Sequence, residues 1–293
     1  MPRISMICFL FIGFLLVSCG QTPNIIGNFK AFQKLTFSWE GPELTEDKST
    51  FLNYRMEMSF TDPDGQQILV PGYFAADGNA GETGAETGKI WRAHLLPLKA
   101  GEWEYEVRFL EGENIAIATD NSTASSLAFD KQKGSFTVLP EDRFQPGFLG
   151  KGKLQYIGEH FLQFSNGDYF FKMGANAPEV LLQYKGFDGT DTDRDYKDHV
   201  SDWKEGDLLW QGDKGKGIVG VINYLKEQGI NSHYFLLMNA YGDGKVAFPW
   251  KGKDDYYLYD VSKLDQWQYL FDYMMQEGLM TQFVLSEQEN QSY

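Results

Sequence analysis

Thiols and imidazoles are scarce in this sequence. Of 293 residues, two are cysteine and four are histidine. Both cysteines, Cys8 and Cys19, fall at the extreme N-terminus, so the rest of the chain can form no disulfide and offer no thiolate to a metal. His94, His160, His199 and His233 show no metal-ligand spacing, and no Ser-His-Asp order or nucleophile elbow occurs. Positive charge is also short: Lys plus Arg is 26 against 41 Asp plus Glu, a net charge of −15. Such a chain repels phosphate polyanions, which excludes nucleic acid as a partner. No apolar run reaches the roughly 20 residues that span a bilayer as a helix. A composition 42% hydrophobic and 23% charged excludes a disordered chain. Aromatics, by contrast, are plentiful at 16%. Aromatic rings stack on sugar faces and carboxylates accept sugar hydroxyls, so a neutral, hydroxyl-rich substrate suits the composition. Neither a metal nor a cofactor is implied.

The first residues read as an address. Met1-Pro2-Arg3 opens the chain, and Ile4 to Val17 is almost wholly apolar, the length of a secretory signal core. Leu16-Val17-Ser18-Cys19-Gly20 has the order of a bacterial lipobox, in which the cysteine thiol is lipidated. Residues 1–19 are therefore expected to be a lipoprotein signal with Cys19 as the lipidation site. Gln21 rather than Asp follows Gly20, so the expected location is the outer membrane, facing periplasm or cell surface.

Two halves follow, with different periods. From about Phe29 to Leu139 the period is two. Trp103, Tyr105, Val107 and Phe109 alternate with Glu102, Glu104, Glu106 and Arg108, as in strands with one buried face. Turn signals such as Asp62-Pro63-Asp64-Gly65 and the glycine-rich run Asp77 to Gly88 separate them. The pattern predicts an antiparallel, Ig-like β-sandwich over residues 25–140. A linker, Pro140 to Gly147, ends it. Beyond come a small strand pair around Ser165 to Asp168 and an apolar strand at Phe170 to Gly174. A helix at Ile218 to Gln228, a buried strand at His233 to Met238, a helix capped by Ser262 and a buried strand at Met280 to Leu285 follow. Strands alternating with helices predict a parallel sheet. Residues 148–293 are too few for the about 250 residues of a (β/α)₈ TIM barrel. A small open sheet or the first βα units of an incomplete barrel both fit, and the apolar last strand favours the barrel start.

Several stretches are recognisable. Phe60-Thr61-Asp62-Pro63-Asp64-Gly65, Val70-Pro71-Gly72-Tyr73-Phe74, Trp91-Arg92 and Gly101-Glu102-Trp103-Glu104-Tyr105 resemble the DUF5060 β-sandwich module, which precedes a barrel in bacterial glycoside hydrolases. Phe171 to Glu179, Asn231 to Asn239, Gly242-Asp243-Gly244-Lys245 and Tyr259 to Trp267 resemble the barrel of the same proteins. The resemblance implies hydrolysis of a glycosidic bond in a polysaccharide by two carboxylic acids. It also implies that the acid/base glutamate comes from a later strand, in an Asn-x-Gly-Glu-Glu-Asn-type stretch. This sequence contains no such stretch, so the chain is expected to be a fragment, inactive by itself. A different expectation is a non-catalytic carbohydrate-binding or surface-interaction lipoprotein.

Residues just after each barrel strand line the active face. That rule selects Asn176 and Glu179, then Asn239, Tyr241 and Asp243, then Glu287, Glu289 and Asn290. One of Glu287 and Glu289 is expected to accept sugar hydroxyls, with catalysis carried elsewhere; a solvated tail is the alternative. Trp250, with Trp210, Tyr256 and Tyr257, is a candidate sugar platform, and core packing accounts for any one of these rings equally. Asp191, Asp193 and Asp195 mimic the start of a calcium loop, but Tyr196 stands where that loop needs Gly, so a solvated acidic loop is expected.

Overall fold

The computed structural model describes residues 22–175, 180–242, 244–285 and 288. Period-two alternation dictates the first half. Strands β1 (Asn24–Ile26) and β2 (Leu35–Thr45) are followed by a short helix, α1 (Lys48–Asn53), and by β3 (Tyr54–Thr61), β4 (Gln67–Pro71) and β5 (Tyr73–Phe74). A one-turn helix, α2 (Ala80–Thr83), precedes β6 (Thr87–Leu95), β7 (Gly101–Glu111), β8 (Ser125–Ser126) and β9 (Lys133–Val138). One antiparallel sheet has the order β1-β2-β6-β5; the other has β4-β3-β7, with β8 and β9 both paired to β7. Leu35, Phe37 and Trp39 of β2 and Trp91, Ala93 and Leu95 of β6 turn one way. They meet Met56, Met58 and Phe60 of β3 and Trp103, Val107 and Phe109 of β7. Phe37 lies 5.1 Å from Phe60, and Trp91 lies 4.7 Å from Phe109. Phe109 stacks on Phe129 at 4.4 Å. Each such buried ring contributes about 1.5–3 kcal/mol, so this seam dominates the stability of the module.

The second half changes grammar. A small antiparallel sheet, β10 (Leu154–Gln155), β11 (Leu162–Phe164) and β12 (Tyr169–Phe170), folds around Phe148, Phe164 and Phe170. Then β13 (Gly174–Ala175), α3 (Lys216–Glu227), β14 (Ser232–Leu236), α4 (Val261–Glu277) and β15 (Met280–Val284) alternate. The three strands form one parallel sheet, Gly174 opposite Ser232 and Ser232 opposite Met280. The apolar rows Ile218, Val219, Ile222 of α3 and Trp267, Leu270, Met274 of α4 share a core with Phe235. The chain is thus β-rich, built from several sheets that are mostly antiparallel, and no closed barrel forms among the described residues.

Three expectations are corrected. The cap of α4 is Asp260, not Ser262: its carboxylate accepts from Lys263 N at 2.9 Å, while Ser262 lies inside the helix. β15 is not buried along its length, since Phe283 is 44% exposed; it is an outer strand of its sheet. The glycine-rich run contains α2 rather than turns alone.

That small helix docks the two halves. A Cβ at Gly81 would meet the Tyr269 ring at 2.7 Å, so only glycine lets α2 approach α4 this closely. Gln266 Nε2 donates to Gly81 O at 3.0 Å, and Gly81 N donates to Asp265 Oδ2 at 3.4 Å. Gln211 N donates to Glu82 Oε2 at 2.7 Å.

Candidate functional site

The segment leaving β14 carries most of the described candidates. Asn239 is fully buried. Its N–H donates to Ala247 O at 2.6 Å and its Oδ1 accepts from Lys245 N at 3.4 Å, so it pins the loop back on itself. The pinned loop gathers Ala240, Phe248 and Trp250 into an apolar cluster flanked by Met238, Tyr241, Tyr256 and Tyr259. Trp250 meets Tyr256 edge-on at 4.9 Å and lies near-parallel to Phe248 at 6.3 Å. Tyr241 donates its hydroxyl hydrogen to Asp254, and Tyr256 donates to the Tyr241 oxygen at 3.4 Å. The Asp254 hydrogen bond holds the Tyr241 hydroxyl far above the ordinary tyrosine range. Lys253 caps the Tyr241 ring, its Nζ 3.9 Å from the centroid.

Trp250 is 8% exposed, so its ring serves this cluster rather than standing free as a platform. Its indole Nε1 is buried and has no hydrogen-bond partner among the described residues. The accessible ring is Tyr257, 44% exposed. Trp210 is core: it stacks on Phe187 at 5.4 Å and donates to Gly186 O at 3.0 Å. Asn239, Tyr241 and Trp250 are therefore brought together on one loop. Asn176, Glu179, Asp243, Glu287, Glu289 and Asn290 lie outside the described residues, as does Cys19.

Behind the loop sits a charged framework that sequence reasoning missed. Lys263 of α4 is fully buried, and its Nζ donates to Trp250 O at 2.8 Å. Burial pushes this ammonium down, against the pull of Asp260. Asp188 is a hub: it accepts from Lys214 at 2.9 Å, Gln211 at 2.6 Å, Ser262 at 3.0 Å and Gln266 at 2.8 Å. Burial raises its pKa, but those donors outweigh burial and hold it below the ordinary carboxylate value. With its oxygens so engaged, Asp188 is an organiser, not a free base. The one available signal for Lys263 was its position three residues after an Asp in a cap position. His233, on β14, is 3% exposed with Nδ1 2.8 Å from Tyr234 O, a group packed in the core.

Residues 28–110 match the family described as a domain of unknown function, DUF5060. No curated protein matches the chain. Among solved structures, the chain is similar to a crystal structure of a protein provisionally described as a glycoside hydrolase, from Bacteroides vulgatus ATCC 8482. The TM-score is 0.54 and the identity 14%, over 87% of this chain and 40% of the other. At that identity the likeness is one of fold. This chain spans about two fifths of that protein's length.

Proposed function

We propose that this chain acts on a polysaccharide at a bacterial cell envelope, held to the membrane by lipid on Cys19. Its second half corresponds, in this reading, to the opening strands and helices of a (β/α)₈ glycoside hydrolase barrel. The polysaccharide lies across the carboxyl ends of β13, β14 and β15. The observation that carries the reading is the order of parts: an antiparallel sandwich followed by a parallel β-α-β-α-β unit, matched over 87% of the chain by the fold of a provisionally described glycoside hydrolase.

The chemistry supports it. Parallel α/β units present their ligands at the carboxyl ends of the strands. In sequence, the stretches that follow those strands supply acceptors for sugar hydroxyls at Asn176, Glu179, Asp243, Glu287 and Glu289, and the stretch after β14 also carries Tyr241, Trp250, Tyr256 and Tyr257. Glycoside hydrolysis further needs two carboxyl groups on opposite sides of the bond, one protonating the leaving oxygen. Glu287 and Glu289 stand only two residues apart in the sequence, so we assign them to binding.

Affinity electrophoresis in gels containing neutral plant and algal polysaccharides tests the reading, with an assay for new reducing ends beside it. At least one polysaccharide should retard the chain, and Glu287→Gln should weaken that retardation. Unimpeded migration in the whole panel by a folded chain would sink it. Retardation without new reducing ends would favour the non-catalytic alternative. Cys19→Ala should move the protein out of the membrane fraction; unchanged membrane association would remove the anchor.

A further inference from the structure

We infer that the sandwich serves as a clamp for the aromatic loop, and that Glu46, acting through Lys251, is the positioning residue of that loop. The inference rests on the polysaccharide reading above and gives its first module a role in it.

Glu46 follows β2, and its side chain is 2% exposed. Both of its oxygens are used across the junction. Oε2 lies 2.9 Å from Lys251 Nζ, and Oε1 accepts from Val261 N, at the start of α4, at 3.2 Å. Glu86, also in the sandwich, holds the same Lys251 ammonium at 2.9 Å. Glu46 N donates to Glu86 O at 2.8 Å, so the two backbones are joined where both side chains reach Lys251. Phe51 of α1 meets Tyr259 edge-on at 5.2 Å.

Lys251 follows Trp250 directly. Its own N–H donates to Leu258 O at 3.0 Å, and Trp250 bridges to Tyr259. The stretch from Trp250 to Tyr259 is therefore a small closed loop with Tyr256 at its turn. From one side Lys263 holds Trp250 O; from the other, the sandwich holds Lys251 and Tyr259. An exposed ion pair of ordinary kind contributes little and fixes no geometry. Here a buried carboxylate is satisfied only when loop and helix start stand in one arrangement. Burying Glu46 has an electrostatic cost, and a misplaced loop would leave that charge unpaired. The charge thus selects the loop position more than it adds stability.

Two variants of the full chain test this: Glu46→Gln, which keeps the shape and an acceptor, and Lys251→Met, which keeps the stem. Breaking the pair should speed amide exchange in residues 247–259 by about tenfold while β3 and β7 stay protected, as expected for local rather than global opening. Retardation by the best polysaccharide should fall in both variants. The double variant should lose less than the sum of the two single ones, because the Glu46–Lys251 pair is broken in both, while Lys251→Met also gives up Glu86. Unchanged exchange in 247–259, or additive losses in the double variant, would overturn the clamp. So would exchange that rises equally throughout the chain in both variants. If the parent chain binds no polysaccharide, the functional reading fails, and the exchange pattern still decides whether the clamp exists.

Discussion

At the scale of single residues, the sandwich holds a histidine that resists its proton. His94 shares hydrogen bonds with Thr36 Oγ1 at Nδ1 and with the Tyr73 hydroxyl at Nε2, each 2.9 Å. Burial, with Lys34 and Arg92 nearby, pushes its pKa down to about 3. In the unfolded chain it takes a proton near pH 6.5. The stability linked to this group is therefore full above pH 6.5 and is lost as pH falls from there towards 3. The slope is at most about 1.4 kcal/mol per pH unit. Urea midpoints between pH 7 and 4 should fall less steeply for His94→Gln than for the parent chain. Parallel curves would mean that the folded protein accepts the proton. Asp142, held down to about 2 by Lys30, Gln145 and Phe144 N, contributes to both curves alike.

At the scale of elements, caps and close approaches set the order of effects. Asp47 caps α1 by accepting from Thr50 N at 2.8 Å, and its loss should cost about 1 kcal/mol. Asp260 caps α4, also takes Ser262 Oγ at 3.1 Å, and lies 3.7 Å from the buried Lys263 ammonium. Asp260→Ala should therefore cost more than Asp47→Ala in thermal denaturation, since it also strips a buried cation of its counter-charge. The reverse order would mean that Lys263 needs no partner. Gly81→Ala should lower stability by roughly 1–3 kcal/mol, because the added methyl meets the Tyr269 ring or separates α2 from α4.

These elements also mark what was legible in the sequence. The sandwich strands were readable because one face is apolar and the other wet: Val107 and Phe109 are buried between exposed Glu106 and Arg108. One face of α4 was readable for the same reason. Its other face was not, because Lys263, Asp265 and Gln266 are buried against Trp250, Gly81 and Asp188, and a period-3.6 pattern assigns polar residues to water. Buried polar seams escape pattern reading. The strand-end rule selected Asn239 and Tyr241 from the sequence, whereas the burial of Trp250 depends on a loop closed by contacts with Tyr259 and Lys263.

At the scale of the whole molecule, the two halves differ in how they finish their sheets. The sandwich closes its two layers over one continuous aromatic seam, with Met58, Phe60, Val107 and Phe109 fully buried. The parallel sheet is narrower, and its outer strand β15 carries Phe283 at 44% exposure with Leu285 just beyond at 79%. Amides on an outer strand with a wet face open by local fraying, whereas amides in a buried central strand open only with their module. Hydrogen exchange at neutral pH should therefore be slowest in β3 and β7, intermediate in α4, and faster in the outer strand β15 than in the central strand β14. The seam at Gly81, Glu46 and Lys251 should keep α4 closer to the sandwich than to β15 in protection. Uniform slow exchange across β3, β7, α4 and β15 would mean that the second half is as completely packed as the first. Protection of α4 that tracks β15 instead would mean that the polar seam between the halves does not couple them.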